Sequence, residues 1–479
     1  MDKIKHSADP YKRSEIKNIK NIDSGSKQVK FPKKGNNKKK AYDMVRKYLY
    51  GNDDPCKNMI TFVTVDAMDT YMDKIHFDLR HINFIDTTVY KKTKAMEQQI
   101  VTMMAHLFND KKYKLSMGLS TIGSSEAIYI STILHKFKWE ERMKKKKVRT
   151  GNPNMIFSYN THVNWDKSAR WNDIEPRKVK LRKLNYNFGK DEVAKLLDKN
   201  TVCVACTVCT TRSGDNDNVK EINDFLAKYY KKTGVFVPIH IDAAIGGFLY
   251  PFLDPSYVWD FRLSHVKSIN VSFHKYGGTY PGMGMILVKS DYPLPDKFRF
   301  EFNVEKTAAS LSKGFTVASH MEDPHAGVAR IKYDEAKKHK RENLKDWAIN
   351  FSKPSSQIVT AYYLLRNLGF DGYKKRMLKC LKVAQYVSKF IVSIKNPKTG
   401  DLVFKQVNDP RVPVIAFYLQ DPKFDLRKLL MNLEKNYGYA VASYKMAPNI
   451  DDIVMRFVIK PTFNMKSAKK FIEAIKKSL

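Results

Sequence analysis

Apolar residues change their spacing along this chain, and the changes mark out its parts. Residues 1–40 are polar, rich in Lys, Asn and Ser and poor in aromatics, which predicts a disordered basic arm. Helical spacing begins at Ala41-Tyr42-Asp43-Met44-Val45-Arg46. Two short runs follow, Asn58 to Val63 and Asn83 to Asp86, without a period of their own. On pattern alone Thr61 and Phe62 read as packing and Asp86 as a helix cap. Met96, Ile100, Met103, Met104 and Leu107 give an amphipathic helix over Ala95–Phe108. Gly118 to Ser125 reads as a Gly/Ser turn entering a long helix, Glu126 to about Lys145.

From residue 154 short apolar runs alternate with helical stretches. Strands are predicted at Met155–Phe157, Val179–Leu184, Thr201–Val208, Val235–Ile241, Val266–Val271 and Met283–Val288. Helices are predicted at Asp191–Leu197 and Val219–Tyr230. This alternation predicts an α/β domain with a largely parallel sheet, whose ligands bind at the carboxyl ends of the strands. Residues 304 to 348 interrupt it, and Asp334 to Glu342 is a charged helical stretch without an apolar stripe. Beyond it come a helix at Tyr373–Ser393, a strand at Val414–Leu419, a helix at Asp425–Glu434, a strand at Ile453–Ile459 and a terminal helix at Met465–Lys477. The expected division is an arm (1–40), an N-terminal segment (41–94), a large α/β domain (95–373, with a loop insertion at 305–348) and a small C-terminal α/β domain (374–479).

Composition narrows the picture. At 479 residues, with 43% hydrophobic residues, 27 Phe and 26 Tyr, the chain has enough apolar material for two or three domains. It has no apolar run of transmembrane length and no apolar leader, so a soluble cytoplasmic protein without membrane attachment is expected. Five cysteines suit a reducing compartment. Cys203, Cys206 and Cys209 form a C-x2-C-x2-C run, but the next cysteine is Cys380 and the spacers are apolar or small, which predicts a buried strand and no metal. The charge is strongly basic, 86 Lys and Arg against 49 Asp and Glu, of which 13 against 4 fall in residues 1–40. It reads first as a lysine-rich solvated surface. Attraction to nucleic acid is the alternative, not favoured because no basic stripe is interleaved with stacking aromatics.

Candidate chemistry gathers at the predicted strand exits: His162, Thr207 and Thr211, Asp242, and Lys275 in Ser272-Phe273-His274-Lys275-Tyr276-Gly277-Gly278. A lysine leaving a buried strand is costly unless it is paired, neutralised or converted. One conversion is a Schiff base with pyridoxal phosphate (PLP). That cofactor needs a carboxylate for its ring nitrogen, a flat group on its ring and a phosphate cradle, while the substrate carboxylate needs a cation. The chain offers Asp242, His162, Gly123-Ser124-Ser125 at a helix start, and Arg456 within the last predicted strand.

These motifs resemble the glutamate decarboxylase family, among the group II PLP-dependent decarboxylases of fold type I. The resemblance is carried by Gly123-Ser124-Ser125-Glu126-Ala127, by His240 to Phe248 (HIDAAIGGF), by Val258-Trp259-Asp260-Phe261-Arg262-Leu263, by Ser272 to Tyr276, and by Ile349-Asn350-Phe351-Ser352-Lys353-Pro354. It implies that Lys275 is the Schiff-base lysine, with His274 beside the phosphate and the leaving carboxylate. It implies that Asp242 pairs with the ring nitrogen, that Ala244 and His162 cover the two ring faces, and that Thr211 lies near the ring oxygen. Ser124, Ser125 and Ser272 are implied to hold phosphate, with Ser352 reaching it from a partner subunit. Thr61, Phe62 and Asp86 match positions shaping the pocket for the distal carboxylate, also across the dimer, and Arg456 matches the arginine for the α-carboxylate. A homodimer or larger assembly is implied, with residues 41–94 in its interface.

Three departures leave alternatives open. The family carries a loop tyrosine soon after Phe-Asn-Val, and it is implied to return the proton to Cα. This chain has Phe302-Asn303-Val304-Glu305-Lys306, and relatives without that tyrosine tend toward oxidative deamination. The loop is also longer, with Tyr333, His320 and His325 inside it as possible substitutes. Ile245 and Asp166 replace residues usual in the glutamate enzymes. The expected function is a PLP-dependent amino-acid α-decarboxylase, most like glutamate decarboxylase. The alternatives are action on another amino acid, oxidative deamination on the same fold, and an inactive scaffold that binds polyanions.

Overall fold

The computed structural model describes residues 34–49, 57–63, 69–84, 90–147, 151–298, 300, 301, 345–350 and 352–479. Most of the predicted arm, all of Asp334–Glu342, and Tyr333, His320 and His325 lie outside these residues. Within them the chain runs α1 (Lys38–Leu49), α2 (Thr70–Leu79), α3 (Lys91–Leu107), β1 (Met117–Thr121), α4 (Gly123–Lys145), β2 (Asn154–Ser158), α5 (Asn164–Trp171), β3 (Glu175–Val179), α6 (Lys190–Leu196), β4 (Thr201–Thr207), α7 (Val219–Thr233), β5 (Ile239–Asp242), α8 (Tyr250–Leu253), β6 (Val266–Ser272) and β7 (Gly284–Val288). A two-residue ladder, β8 (Phe300–Glu301) with β9 (Lys345–Asp346), precedes α9 (Ser355–Ile391). The chain ends with β10 (Phe404–Gln406), β11 (Val414–Leu419), α10 (Leu426–Tyr437), β12 (Ala442–Ala447), β13 (Ile450–Val458) and α11 (Met465–Lys476).

The large sheet has the order β1-β7-β6-β5-β4-β2-β3. From β3 to β6 every neighbour is parallel, and β7 runs antiparallel to both β6 and the edge strand β1. Strands β2, β4, β5, β6 and β7 are buried along their whole length. That is why they appear in the sequence as apolar runs rather than as alternation. One face packs on α3, α7 and α9 through Met104, Ile222, Ile241, Val271 and Ile358. The other face packs on α4 and α5 through Ile128, Trp165, Met155 and Ala205. The smaller sheet, β10-β11-β13-β12, is antiparallel throughout. It is covered on one side by α10, α11 and the end of α9, and its other side meets Leu181 and Tyr186 of the large domain. Among the described residues no helix is long and apolar enough to cross a membrane.

Four expectations change. The predicted strand Val179–Leu184 ends where it was expected to begin, at Val179, because Leu181 turns away to pack against the small sheet. Pro238 lacks an N–H, so the strand expected from Val235 forms only from Ile239. The helix expected from Tyr373 starts at Ser355 and is interrupted at Gly369 (φ 57°). Gly118 to Thr121, read as a turn, is strand β1. A Cβ on Gly118 would stand 2.7 Å from the Ile286 carbonyl oxygen, so its lack of a side chain reflects a close strand pairing.

The three cysteines do not converge. Cys203 packs with the α4/α5 layer, whereas Cys206 and Cys209 pack on the opposite face. All three thiols are buried, which raises their pKa values.

Candidate active site

Strand β6 delivers the central lysine. After Ser272 the chain turns tightly, with the Lys275 N–H donating to Ser272 O (3.3 Å) and the Gly278 N–H donating to Lys275 O (3.0 Å). Gly278 has φ 85°, a conformation that needs glycine there. Lys275 is half-buried. Desolvation lowers the pKa of its ammonium; the Asp242 carboxylate acts against that and Arg456 adds to it. Lys275 Nζ lies 5.3 Å from the centroid of the Phe62 ring, and the Arg456 guanidinium carbon lies 4.6 Å from the same ring. Arg456 stands in β13 between Ala416 and Ala442, two small neighbours in register. It is only 3% exposed. Its guanidinium donates to Ile60 O (2.6 Å) and to Thr211 O, while its Nε is buried without a hydrogen-bond partner among the described residues.

Asp242 ends β5, one strand from Lys275. Its Oδ1 accepts from Asn270 Nδ2 (3.0 Å) and from the Ala244 N–H (3.1 Å), and its Oδ2 accepts from Trp165 Nε1 (3.0 Å). His162 lies between β2 and α5, half-buried, its Nδ1 accepting from the Asn164 N–H (3.3 Å). Burial lowers its pKa against the pull of Asp242, so the ring is neutral near pH 7. At the start of α4, Ser124 Oγ lies 2.7 Å from Ser272 Oγ, and Asn164 donates to Ser125. His274 Nδ1 lies 2.9 Å from Met283 O, and burial with the neighbouring Lys275 lowers its pKa to about 4.

A family model described as the pyridoxal-dependent decarboxylase conserved domain matches residues 69–314 and 324–420. The chain belongs to the pyridoxal-dependent decarboxylases. A glutamate decarboxylase of Solanum lycopersicum is 34% identical over 456 residues, spanning 94% of this chain and 82% of that protein. One from Lactococcus lactis is 31% identical over 454 residues, spanning 92% and 86%. The structure of a Lactobacillus brevis glutamate decarboxylase superposes with a TM-score of 0.80 at 28% identity, covering 95% of both chains. This decarboxylase is therefore a PLP-dependent carboxy-lyase of the expected α/β fold.

Its residues fit that cofactor. Gly123 (φ 70°) opens α4, and a Cβ there would stand 3.2 Å from His274 Cε1. A Cβ on Gly284 would stand 2.5 Å from the Gly123 carbonyl carbon, so the cradle is built on bare backbone. Ser124, Ser125 and Ser272 line it with hydroxyls at the start of α4. The donor set suits a phosphate dianion, and Asp242 is a buried carboxylate of the kind that suits a pyridinium.

The decarboxylase carries its other expected residues on several segments. Thr61 and Phe62 were expected to shape the pocket for the distal carboxylate, also across a dimer, and within one chain Phe62 stands beside Lys275 and Arg456. Met59 explains this: its N–H donates to Ala440 O (2.9 Å), its O accepts from the Val458 N–H (3.0 Å), and its side chain is buried in the small-domain core. Thr61 follows in the same segment, its N–H bonded to Asn58 Oδ1 (3.1 Å). Ser352, expected to act from a partner subunit, is exposed and accepts from Asn83 Nδ2 (3.1 Å) within its own chain. Asp86 and the stretch Phe302 to Lys306 lie outside the described residues. Ile245 packs in the main core and Asp166 pairs with Lys178 (2.8 Å) and Arg170 (3.1 Å), so these two departures serve packing and surface charge. Sequence reasoning missed Trp165 and Asn270. Trp165 had a usable signal, standing three residues after His162 in the first turn of α5.

Proposed function

We propose that this decarboxylase converts L-glutamate to 4-aminobutanoate and CO2 in the cytoplasm, as a homodimer. Relatives named glutamate decarboxylase, from plants and bacteria at 31–34% identity, support the substrate. The carrying observation is the pairing of Lys275 and Arg456 around the Phe62 ring, which sets an amine and a buried cation against one aromatic side chain. Lys275, deprotonated more readily because it is desolvated, is the amine that holds pyridoxal phosphate. When bound, that group supplies an electron sink for the pair left on Cα as CO2 departs. Asp242 would meet the ring nitrogen, the neutral His162 and Ala244 would cover the ring, and Thr211 would border its oxygen. Ser124, Ser125 and Ser272 would hold the phosphate, with His274 beside it and the departing carboxylate. Arg456 orients the α-carboxylate through a charge-assisted hydrogen bond. Thr61, Phe62 and Asp86 shape the end that takes the distal carboxylate. Ser352 of the partner subunit completes the cradle. Exposed Tyr71 and Phe77 on α2, with Ile122 and Val163 near the cradle, support burial of this face in a dimer.

A second reading rests on Glu305-Lys306, where the family carries its tyrosine. It is oxidative deamination, in which amino acid, O2 and water give aldehyde, CO2, ammonia and H2O2. The experiment is to give the holoenzyme each common amino acid and to measure CO2, amine, H2O2 and product identity together. One 4-aminobutanoate per CO2 from glutamate, without H2O2, is the expected result. H2O2 matching CO2 supports the second reading, and turnover of another amino acid with none of glutamate overturns the substrate.

A further inference from the structure

A line of polar side chains crosses the large sheet behind Asp242. Asn270 Nδ2 donates to Asp242 Oδ1 (3.0 Å). His240 Nε2 lies 2.7 Å from Asn270 Oδ1, and His240 Nδ1 lies 2.7 Å from Ser268 Oγ. His135 Nε2 lies 2.7 Å from the same Ser268 Oγ, and its Nδ1 lies 3.4 Å from the Tyr292 hydroxyl. His135, Ser268, His240 and Asn270 are all 0% exposed. Strand register builds the line, since His240 pairs with Ser268 and Asp242 with Asn270 across β5 and β6.

The chemistry fixes the direction of every bond. A carboxylate only accepts, so the Asn270 amide turns its N–H2 toward Asp242 and its oxygen toward His240. His240 Nε2 therefore carries a proton. Burial keeps both rings neutral, His240 with a pKa of about 4 and His135 well below its ordinary value. A neutral ring has one N–H, so His240 Nδ1 accepts the Ser268 hydroxyl proton. Ser268 Oγ then accepts from His135 Nε2–H, and His135 Nδ1 faces the Tyr292 hydroxyl as acceptor. All the donors point one way, toward Asp242. Dipoles aligned head to tail stabilise negative charge at the receiving end.

We propose that His135, Ser268, His240 and Asn270 form a one-way hydrogen-bond relay that holds Asp242 as the anion and so keeps the proton on the ring nitrogen of bound pyridoxal phosphate. The proposal rests on the reading that Asp242 faces that nitrogen. These four are positioning residues, since only Asp242 meets the cofactor. Without the relay, the Asp242 carboxylate keeps only the Trp165 and Ala244 donors, and the aligned dipoles that favour the proton on the ring nitrogen are lost.

The test is 15N NMR of the holoenzyme loaded with pyridoxal phosphate labelled at the ring nitrogen, with variants Ser268→Ala, Ser268→Thr, Asn270→Leu and Asp242→Asn. The wild type is expected at the protonated position. Ser268→Ala lowers the titration midpoint of the ring nitrogen by about one pH unit, Asn270→Leu, one link closer, lowers it further, and Ser268→Thr restores it. A signal unmoved in both Ser268→Ala and Asn270→Leu, but moved in Asp242→Asn, overturns the relay. A signal unmoved even in Asp242→Asn overturns the underlying placement of Asp242. Ser268→Ala removes one oxygen from a strand that is otherwise unchanged, so its folding is expected to be preserved. If it is not, Ser268→Thr against Asn270→Leu gives the same comparison.

Discussion

Arg456→Met keeps much of the side-chain volume and removes the guanidinium fork. Two main-chain oxygens, of Ile60 and Thr211, lose their buried donor. An unsatisfied buried acceptor costs about 1–3 kcal/mol, and the lost cation over Phe62 adds about 0.5–2 kcal/mol. Removing a buried charge offsets part of this, because its desolvation already lowers the arginine pKa. The net loss of stability is about 2–4 kcal/mol. The effect on catalysis is separate. One charge-assisted hydrogen bond to the substrate is worth about 1.5–3 kcal/mol, so kcat/KM for glutamate falls roughly 10–150-fold, chiefly through KM. The assay combines urea unfolding of the holoenzyme with steady-state CO2 release. Inhibition by 4-aminobutanoate, which lacks the α-carboxylate, serves as the control and stays near its wild-type value. Arg456→Lys recovers charge but not the two-pronged geometry, and falls between. A folded Arg456→Met protein with kcat/KM within about threefold of wild type refutes the assignment.

Lys275→Ala is expected to lose the visible absorbance of bound cofactor together with turnover, and a variant that stays coloured and active contradicts the central assignment. Gly284→Ala drives a Cβ to 2.5 Å from the Gly123 backbone and distorts the cradle; overpacking costs about 1–3 kcal/mol, so cofactor dissociation, followed by fluorescence, becomes about tenfold easier. Acid should destabilise the fold through His240. The unfolded ring takes its proton near the ordinary value of 6.5 and the folded ring only near 4. Between those values the unfolded chain binds more protons, so this stability is fully present above pH 6.5 and is lost as pH falls toward 4, by about 3 kcal/mol. Urea midpoints between pH 7.5 and 4.5 measure the slope, which His240→Gln flattens; an unchanged slope in that variant rules His240 out as its source.

Much of the architecture was legible because buried parallel strands announce themselves as apolar runs, and Lys275 and Asp242 lay where such runs ended. Arg456 was legible as a charge inside the last strand. Strand β1 was not, since Gly118 and Ser120 carry turn chemistry and their roles come from Ile286 and Glu97, outside any short window. Asn270 and His240 were polar positions inside strands, and nothing local says that they bond each other across a sheet. The Asn58–Val63 segment has no period because Met59 is held by Ala440 and Val458 rather than by neighbours. Long-range pairing of this kind leaves no trace in a short window of sequence.

The tie between Arg456 and Ile60 also has a temporal side, since the two residues are 396 positions apart. At synthesis rates of about 5–20 residues per second, Ile60 leaves the ribosome roughly 20–80 s before its partner is made. The wall that carries Phe62 is thus among the first parts translated and among the last to find its place. On the proposed assignments, a nascent chain holding Lys275, Asp242 and the serine cradle already has what would gather the cofactor, but it lacks the arginine proposed to select the substrate. Under that proposal substrate recognition arrives only with β13, so a ribosome stalled before that strand would leave a chain equipped for the cofactor alone.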